Sequence, residues 1–257
     1  MCTSPDKHVP DMNGKYSLGY IDHRPKIFSQ SPDIAAENQM VPDTDDPGCR
    51  RKSELKLAGF LARSSVNGPG IRAVVWVQGC PLRCNGCFNP EFLPFSNGRQ
   101  VQVRDLAKTI SSIDRIDGVT FSGGEPFAQA IPLAELGGLL QRAGMSVVTF
   151  TGFTWDQLTV KNRPAWRSLL SVTDILIAGP YFPERDEGLH RQAGSTGKHV
   201  IHLSEGRPGS GNAGSLPVNH GAGDEIEFTI LPGGRVVVTG FPENRLVGEL
   251  VSLSSGE

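Results

Sequence analysis

Histidine is missing from the whole stretch between Leu55 and Gly188, where most of the recognisable elements fall; the next one is His190. A zinc site built on paired cysteine and histidine knuckles therefore lacks its usual second half. The formal net charge is -2, so no global basic field gathers nucleic acid. No apolar run reaches the roughly 18–20 residues of a membrane span. Met1-Cys2-Thr3-Ser4-Pro5-Asp6-Lys7 carries no apolar signal-peptide core, which makes the cytoplasm the expected location and a membrane an unexpected partner. Hydrophobic residues are 38% of the chain and aromatic residues only 7%, against Gly 31 and Pro 19, so a core is expected alongside long loops or tails.

What is present is clustered. Three of the five cysteines, Cys80, Cys84 and Cys87, lie in the stretch Gly79-Cys80-Pro81-Leu82-Arg83-Cys84-Asn85-Gly86-Cys87-Phe88-Asn89-Pro90-Glu91. In a reducing compartment this pattern reads as metal binding and not as a disulfide framework. A [4Fe–4S] cluster has four irons, so three protein thiolates leave one iron open. A four-ligand zinc site and a Cys-x2-Cys redox pair are the other readings; the missing second ligand pair weighs against the first, and the third cysteine against the second.

The chain divides into four expected parts. Residues 1–53 form an irregular tail, rich in Pro and Asp, that buries too little apolar surface to offset its ordering entropy. Residues 54–205 carry the main domain, 206–223 a Gly/Ser linker, and 224–257 a β-hairpin with a C-terminal tail. Within the main domain, Leu55–Phe60 and Ile71–Gln78 read as strands, the second buried and β-branched, with the cysteine loop leaving its end. Helical spacing over Val103–Ile113 and Ile131–Ala143 then alternates with strands over Gly118–Phe121 and Met145–Phe150. Helices near Thr154–Leu158 and Trp166–Leu170 follow, then a strand over Thr173–Ala178; past Tyr181 the pattern loosens, and His199–Leu203 is a short apolar run. This βα alternation implies parallel strands with right-handed crossovers. Too few strands are present for a closed barrel of eight, so the expected fold class is α/β: a partial, open βα barrel with parallel strands or a curved parallel sheet.

Two further strand ends carry small polar motifs. Ser122-Gly123-Gly124-Glu125-Pro126 follows one strand, and its glycines let backbone approach a ligand without Cβ atoms in the way. Thr151-Gly152 follows the next. Arg191 to Lys198, Arg-Gln-Ala-Gly-Ser-Thr-Gly-Lys, lacks the spacing and the leading strand of a phosphate loop and reads as a solvated loop, with ligand contact by Arg191 as the minority reading.

Cys80, Cys84 and Cys87, followed by Phe88, together with Gly123-Gly124-Glu125, resemble the radical S-adenosylmethionine (AdoMet) enzymes. The likeness extends through Asn67-Gly68-Pro69-Gly70-Ile71-Arg72, Phe150-Thr151-Gly152-Phe153 and the Arg191–Thr196 stretch. It is nearest to the activating enzymes of glycyl-radical proteins, in particular the activase of anaerobic ribonucleotide reductase, and it covers about Leu55 to Leu203. The long tail and the hairpin are additions, and Ala178-Gly179 stands where that activase tends to have Asp-Gly.

The resemblance implies a [4Fe–4S] cluster on Cys80, Cys84 and Cys87. Its open iron would take AdoMet's amino and carboxylate groups, with cleavage to methionine and a 5′-deoxyadenosyl radical. Ser122, Gly123, Gly124 and Glu125 would orient the amino group, and Gly86, Phe88, Thr151 and Gly152 would line the nucleoside, with Arg191 as a further contact. Implied partners are a glycyl-radical protein and a low-potential electron donor of flavodoxin or ferredoxin type. A radical AdoMet enzyme acting on a small molecule or a ribosomal peptide is the alternative, and a non-enzymatic metal-binding module the remote one.

Overall fold

The structure is a computed structural model that describes residues 53–85, 87, 89–161, 163–180, 198–203, 226–230 and 236–240. The N-terminal tail with Cys2 and Cys49, the Gly/Ser linker, the last residues of the chain, and Gly86, Phe88 and Arg191 lie outside the described residues.

The centre is a seven-stranded sheet in the order β3-β1-β2-β4-β5-β6-β7. The strands are β1 (Glu54–Ser64), β2 (Arg72–Val77), β3 (Arg99–Gln102), β4 (Gly118–Gly123), β5 (Ser146–Thr151), β6 (Ile175–Ala178) and β7 (His199–His202). β2, β4, β5 and β6 are parallel neighbours, whereas β1, β3 and β7 pair antiparallel at the two flanks. The fold is α/β with a mostly parallel sheet, consistent with a partial βα barrel. The strands of the βα alternation run parallel as expected, the flanking strands add antiparallel pairs for which the residues set no direction, and β3 is a strand that its residues, Arg99-Gln100-Val101-Gln102, did not announce.

Helices cover one face. α1 (Val103–Ser111) buries Val103, Leu106, Ala107 and Ile110; α2 (Ala130–Arg142) buries Leu133, Leu136 and Leu140. α3 (Trp155–Val160) starts at a capping box in which Thr154 and Gln157 satisfy each other's backbone N–H. α4 (Pro164–Val172) starts on Pro164, where a missing N–H costs nothing. These helices share one core with Val75, Val77, Phe121 and Leu176. Val148, Phe150, Ile175 and Ile177 form a second cluster from alternate positions of β5 and β6, and so line the opposite face.

At the amino end of the parallel strands, Arg72 is fully buried. Its guanidinium donates to Thr120 Oγ1, Pro69 O, Ser146 Oγ, Val119 O and Ser146 O at 2.7–3.1 Å. Burial pulls its pKa down to about 10, opposed by Asp117 and Asp174, so it stays charged at neutral pH. The Asn67–Arg72 segment thus ties the starts of β2, β4 and β5 together. A separate hairpin, β8 (Ile226–Ile230) with β9 (Val236–Gly240), docks at this same end: Asn67 Nδ2 donates to Thr239 Oγ1 at 2.9 Å, and Ser65 N to Glu227 Oε2 at 3.3 Å.

Candidate cluster site

The cysteine loop leaves β2 at its carboxyl end, as the crevice rule for parallel sheets leads one to look for. Gly79 N donates to Phe92 O at 2.8 Å and Cys80 N to Leu93 O at 3.0 Å, so the loop returns beside its own start. Gln78 closes it further, donating from Nε2 to Glu91 O and Pro94 O. Cys80 is buried, Cys84 and Cys87 are half-buried, and none of the three is in a disulfide. Burial pushes the Cys80 and Cys87 thiols up, so both carry protons at neutral pH before any metal displaces them.

The Gly-Gly-Glu turn at the end of β4 is joined directly to this loop. Gly124 N donates to Val77 O at 2.8 Å, and Glu125 N to Gly79 O at 2.9 Å. A Cβ on Gly124 would stand 2.4 Å from Gly79 O and 2.9 Å from Phe92 O. Gly123 sits at φ +105 with β2 backbone equally close. The glycines were expected to make room for a ligand; what they make room for first is the backbone of the cysteine loop. Ser122 and both glycines are half-buried, and no described donor bonds the carbonyl oxygen of Gly124.

Glu125 is 1% exposed. Its Oε1 accepts from Phe127 N and Thr151 Oγ1, and its Oε2 from Gly152 N, each at 2.9 Å. Burial pushes its pKa up, opposed by these donors and by Lys198. Three donors and no acceptor around the carboxyl are the pattern of the ionised form. Its described bonds therefore run to its own turn at Phe127 and to the end of β5 at Thr151 and Gly152. Thr151 is buried, while Gly152 packs on the cysteine loop, where a Cβ would meet Leu82 Cδ1 at 2.4 Å. The ends of β2, β4 and β5 thus converge on one place.

The sequence reading passed over Lys198. It directly precedes β7, and the register Ala178↔His199 sets it beside Gly179 at the end of β6. Its Nζ donates to Thr151 O at 3.2 Å and Gly179 O at 3.1 Å. Burial pulls its pKa down, while Glu125 and Cys84 act to raise it. The only signal in the chain is a lysine abutting an apolar run, and it gains meaning once the antiparallel pairing of β6 and β7 is known.

Among the described residues, no three His, Cys, Asp or Glu side chains gather as they would around one metal ion. The donors present are three free thiols on one anchored loop, a set that can ligate three irons of a cluster and leave the fourth open. An anchored loop with three thiols at the carboxyl ends of parallel strands defines an iron–sulfur α/β protein. The comparisons make this specific: the family described as "4Fe-4S single cluster domain" matches residues 66–201, more than half of the chain, and the chain belongs to it.

Among curated proteins, the chain is similar to the pyruvate formate-lyase-activating enzyme of Clostridium pasteurianum, 40% identical over 118 residues, covering 44% of this chain and 46% of that protein. That of Listeria monocytogenes is 33% identical over 121 residues, 44% and 48% respectively. The pyruvate formate-lyase 1-activating enzyme of Escherichia coli K12 is 29% identical over 127 residues, 48% and 50%. The chain spans about half the length of the curated relatives it matches. No helix among the described residues is long and apolar enough to cross a membrane.

Proposed function

We propose that the chain is a radical AdoMet enzyme that activates a glycyl-radical protein. The observation that carries the reading is the junction of three strand ends: the three-thiol loop, the Gly-Gly-Glu turn bonded to it, and Thr151-Gly152 packed on Leu82. Cys80, Cys84 and Cys87 would hold a [4Fe–4S] cluster. When bound and reduced, such a cluster supplies the electron that splits AdoMet into methionine and a 5′-deoxyadenosyl radical, the abstractor of a glycine hydrogen atom. The chain's own residues bind and orient. The half-buried Gly124 carbonyl is an acceptor for AdoMet's ammonium. Thr151, Gly152 and Leu82 form an apolar-to-polar wall beside it, and Gly86, Phe88 and Arg191 remain the contacts that the resemblance implies. The buried ends of β4 and β5 keep water from the reacting atoms.

The names of the relatives favour a pyruvate formate-lyase-like partner. The Asn67–Arg72 and Phe150–Phe153 segments favour an anaerobic ribonucleotide reductase-like one. A flavodoxin or ferredoxin would deliver the electron. The test is anaerobic reconstitution with iron and sulfide, followed by dithionite, AdoMet and each candidate partner in separate arms. The expected result is 5′-deoxyadenosine together with a glycyl doublet in electron paramagnetic resonance, in one arm only. Deoxyadenosine without a protein radical in either arm points instead to a small-molecule or peptide substrate, and a colourless protein that holds zinc ends the cluster reading.

A further inference from the structure

Glu125 and Lys198 never touch as an ion pair; the described ion pairs are Arg104–Glu135 and Lys108–Asp105. They meet across one dipeptide. Glu125 accepts from the Thr151 hydroxyl and the Gly152 amide, and Lys198 donates to the Thr151 carbonyl. Lys198 continues to Gly179 at the end of β6, and Glu125 N continues to Gly79 at the cysteine loop. The chain of bonds runs Gly79, Glu125, Thr151-Gly152, Lys198, Gly179, and so crosses the carboxyl ends of β2, β4, β5 and β6.

Each charge in it is poorly placed by itself. A carboxylate that is 1% exposed, with no cation in direct contact among the described residues, is costly, and so is a half-buried ammonium whose described bonds run to neutral carbonyls. Each acts on the other through space, so the two offset one another through the dipeptide between them. Polar groups linked this way polarise each other and gain from being present together. Both oxygens of Glu125 are engaged with scaffold donors before any ligand arrives. This differs from the ligand-orienting part that the Gly-Gly-Glu resemblance implies for Glu125.

Resting on the AdoMet reading above, we propose that Glu125 and Lys198 are positioning residues, a charge pair relayed by Thr151-Gly152, that preset the nucleoside wall without binding AdoMet themselves.

The test uses the full chain with its reconstituted cluster. Equilibrium affinity is measured for AdoMet, for its analogue without the α-amino group, and for decarboxylated AdoMet. Glu125→Gln and Lys198→Met are each expected to weaken all three ligands by a similar factor, about tenfold or more. The double variant is expected to lose no more than the poorer single, because removing both charges leaves neither uncompensated. Thr151→Val, which removes the hydroxyl that donates to Glu125 and accepts from Phe153 N, gives a smaller loss that is again equal across the ligands. Three results overturn the proposal. One is that Glu125→Gln weakens AdoMet but not the deaminated analogue, which makes Glu125 an ammonium contact. Another is that Lys198→Met weakens AdoMet but not the decarboxylated form, which makes Lys198 a carboxylate contact. The last is losses that simply add. If the wild-type holoprotein binds none of the three ligands, it is the AdoMet reading that fails. The brace is then judged by the same cycle in melting temperature on the cluster-free chain, where non-additive losses support it and additive losses overturn it.

Discussion

The two ends of the parallel strands each tie down a cation, Arg72 fully buried and Lys198 half-buried, and the cations are used differently. At the amino end, Arg72 has every nearby acceptor in its grasp: two carbonyls of neighbouring strands, one of its own turn and two hydroxyls. Nothing is left over, and the hairpin β8–β9 closes over the adjacent turn through Asn67. At the carboxyl end, Lys198 has two acceptors among the described residues, the three described thiols stand without disulfides, and the Gly124 carbonyl has no described partner. A sheet end whose polar groups are all paired within the chain is a structural end. One whose backbone and side chains keep unfilled capacity is the end that takes something up. The hairpin belongs to the closed end: it bonds Asn67 and Ser65 there, away from the cysteine loop.

The contrast can be broken at several points. The largest effect is expected for Cys84→Ala. Bound iron should fall from about four per chain to a trace, with loss of deoxyadenosine formation, because a cluster site with three thiolates has none to spare. Because Cys84 is half-buried, its melting curve without metal should barely move. Arg72→Ala should do the reverse. Leaving a ring of buried acceptors unpaired costs about 3–5 kcal/mol, read as a lower midpoint in urea. Any loss of cluster would follow that loss of fold.

Gly124→Ala joins the two behaviours, since its Cβ would stand 2.4 Å from Gly79 O. Backbone has to give, at about 1–3 kcal/mol, and iron content should fall together with stability. A clear drop in one without the other would separate the turn from the cysteine loop. Glu125 supplies a pH signature. Burial holds its carboxyl above the ordinary range, so between the unfolded value and the raised folded one the folded chain keeps a proton that the unfolded chain has released, and above the raised value it is the carboxylate that faces Lys198. Its stabilising contribution is therefore complete below about pH 4.3, the unfolded value, and is lost as pH rises through the raised folded value. The stability of wild type relative to Glu125→Gln should decline along that window in melts from about pH 4 to 8; a flat difference would show that no extra proton is held. The smallest effect should come from Gly138→Ala on α2, where a Cβ meets only Arg142 Nη1 at 3.6 Å and Val172 Cγ1 at 3.8 Å. It should add about 0.5–1 kcal/mol of stability through helix propensity and leave the site untouched.

Much of this was legible from residues alone. Val74, Val75 and Val77 announce a buried strand, and the leucines at 133, 136 and 140 announce the inner face of a helix, because periodicity records which side is covered. The location of the cysteines at a strand end followed from the same run. What periodicity does not record is strand direction. β1 reads as a strand and β7 only as a short apolar run, and the antiparallel pairing of both depends on partners far away in the chain. β3 was missed because it is a short flanking strand, with Arg99 and Gln100 exposed. Lys198 was missed for the same reason: its place beside Gly179 follows from the β6–β7 register and not from its neighbours in sequence. The glycines at 123 and 124 were noticed, but the neighbour they admit belongs to the cysteine loop.

That last contact has a further consequence. The loop that would hold iron and the turn that would receive AdoMet share a wall one atom thick, with Gly124 against Gly79 and no side chain between. Neither can shift alone. Any substitution that displaces one therefore displaces the other, so the two motifs, far apart in sequence, behave as a single part of the molecule.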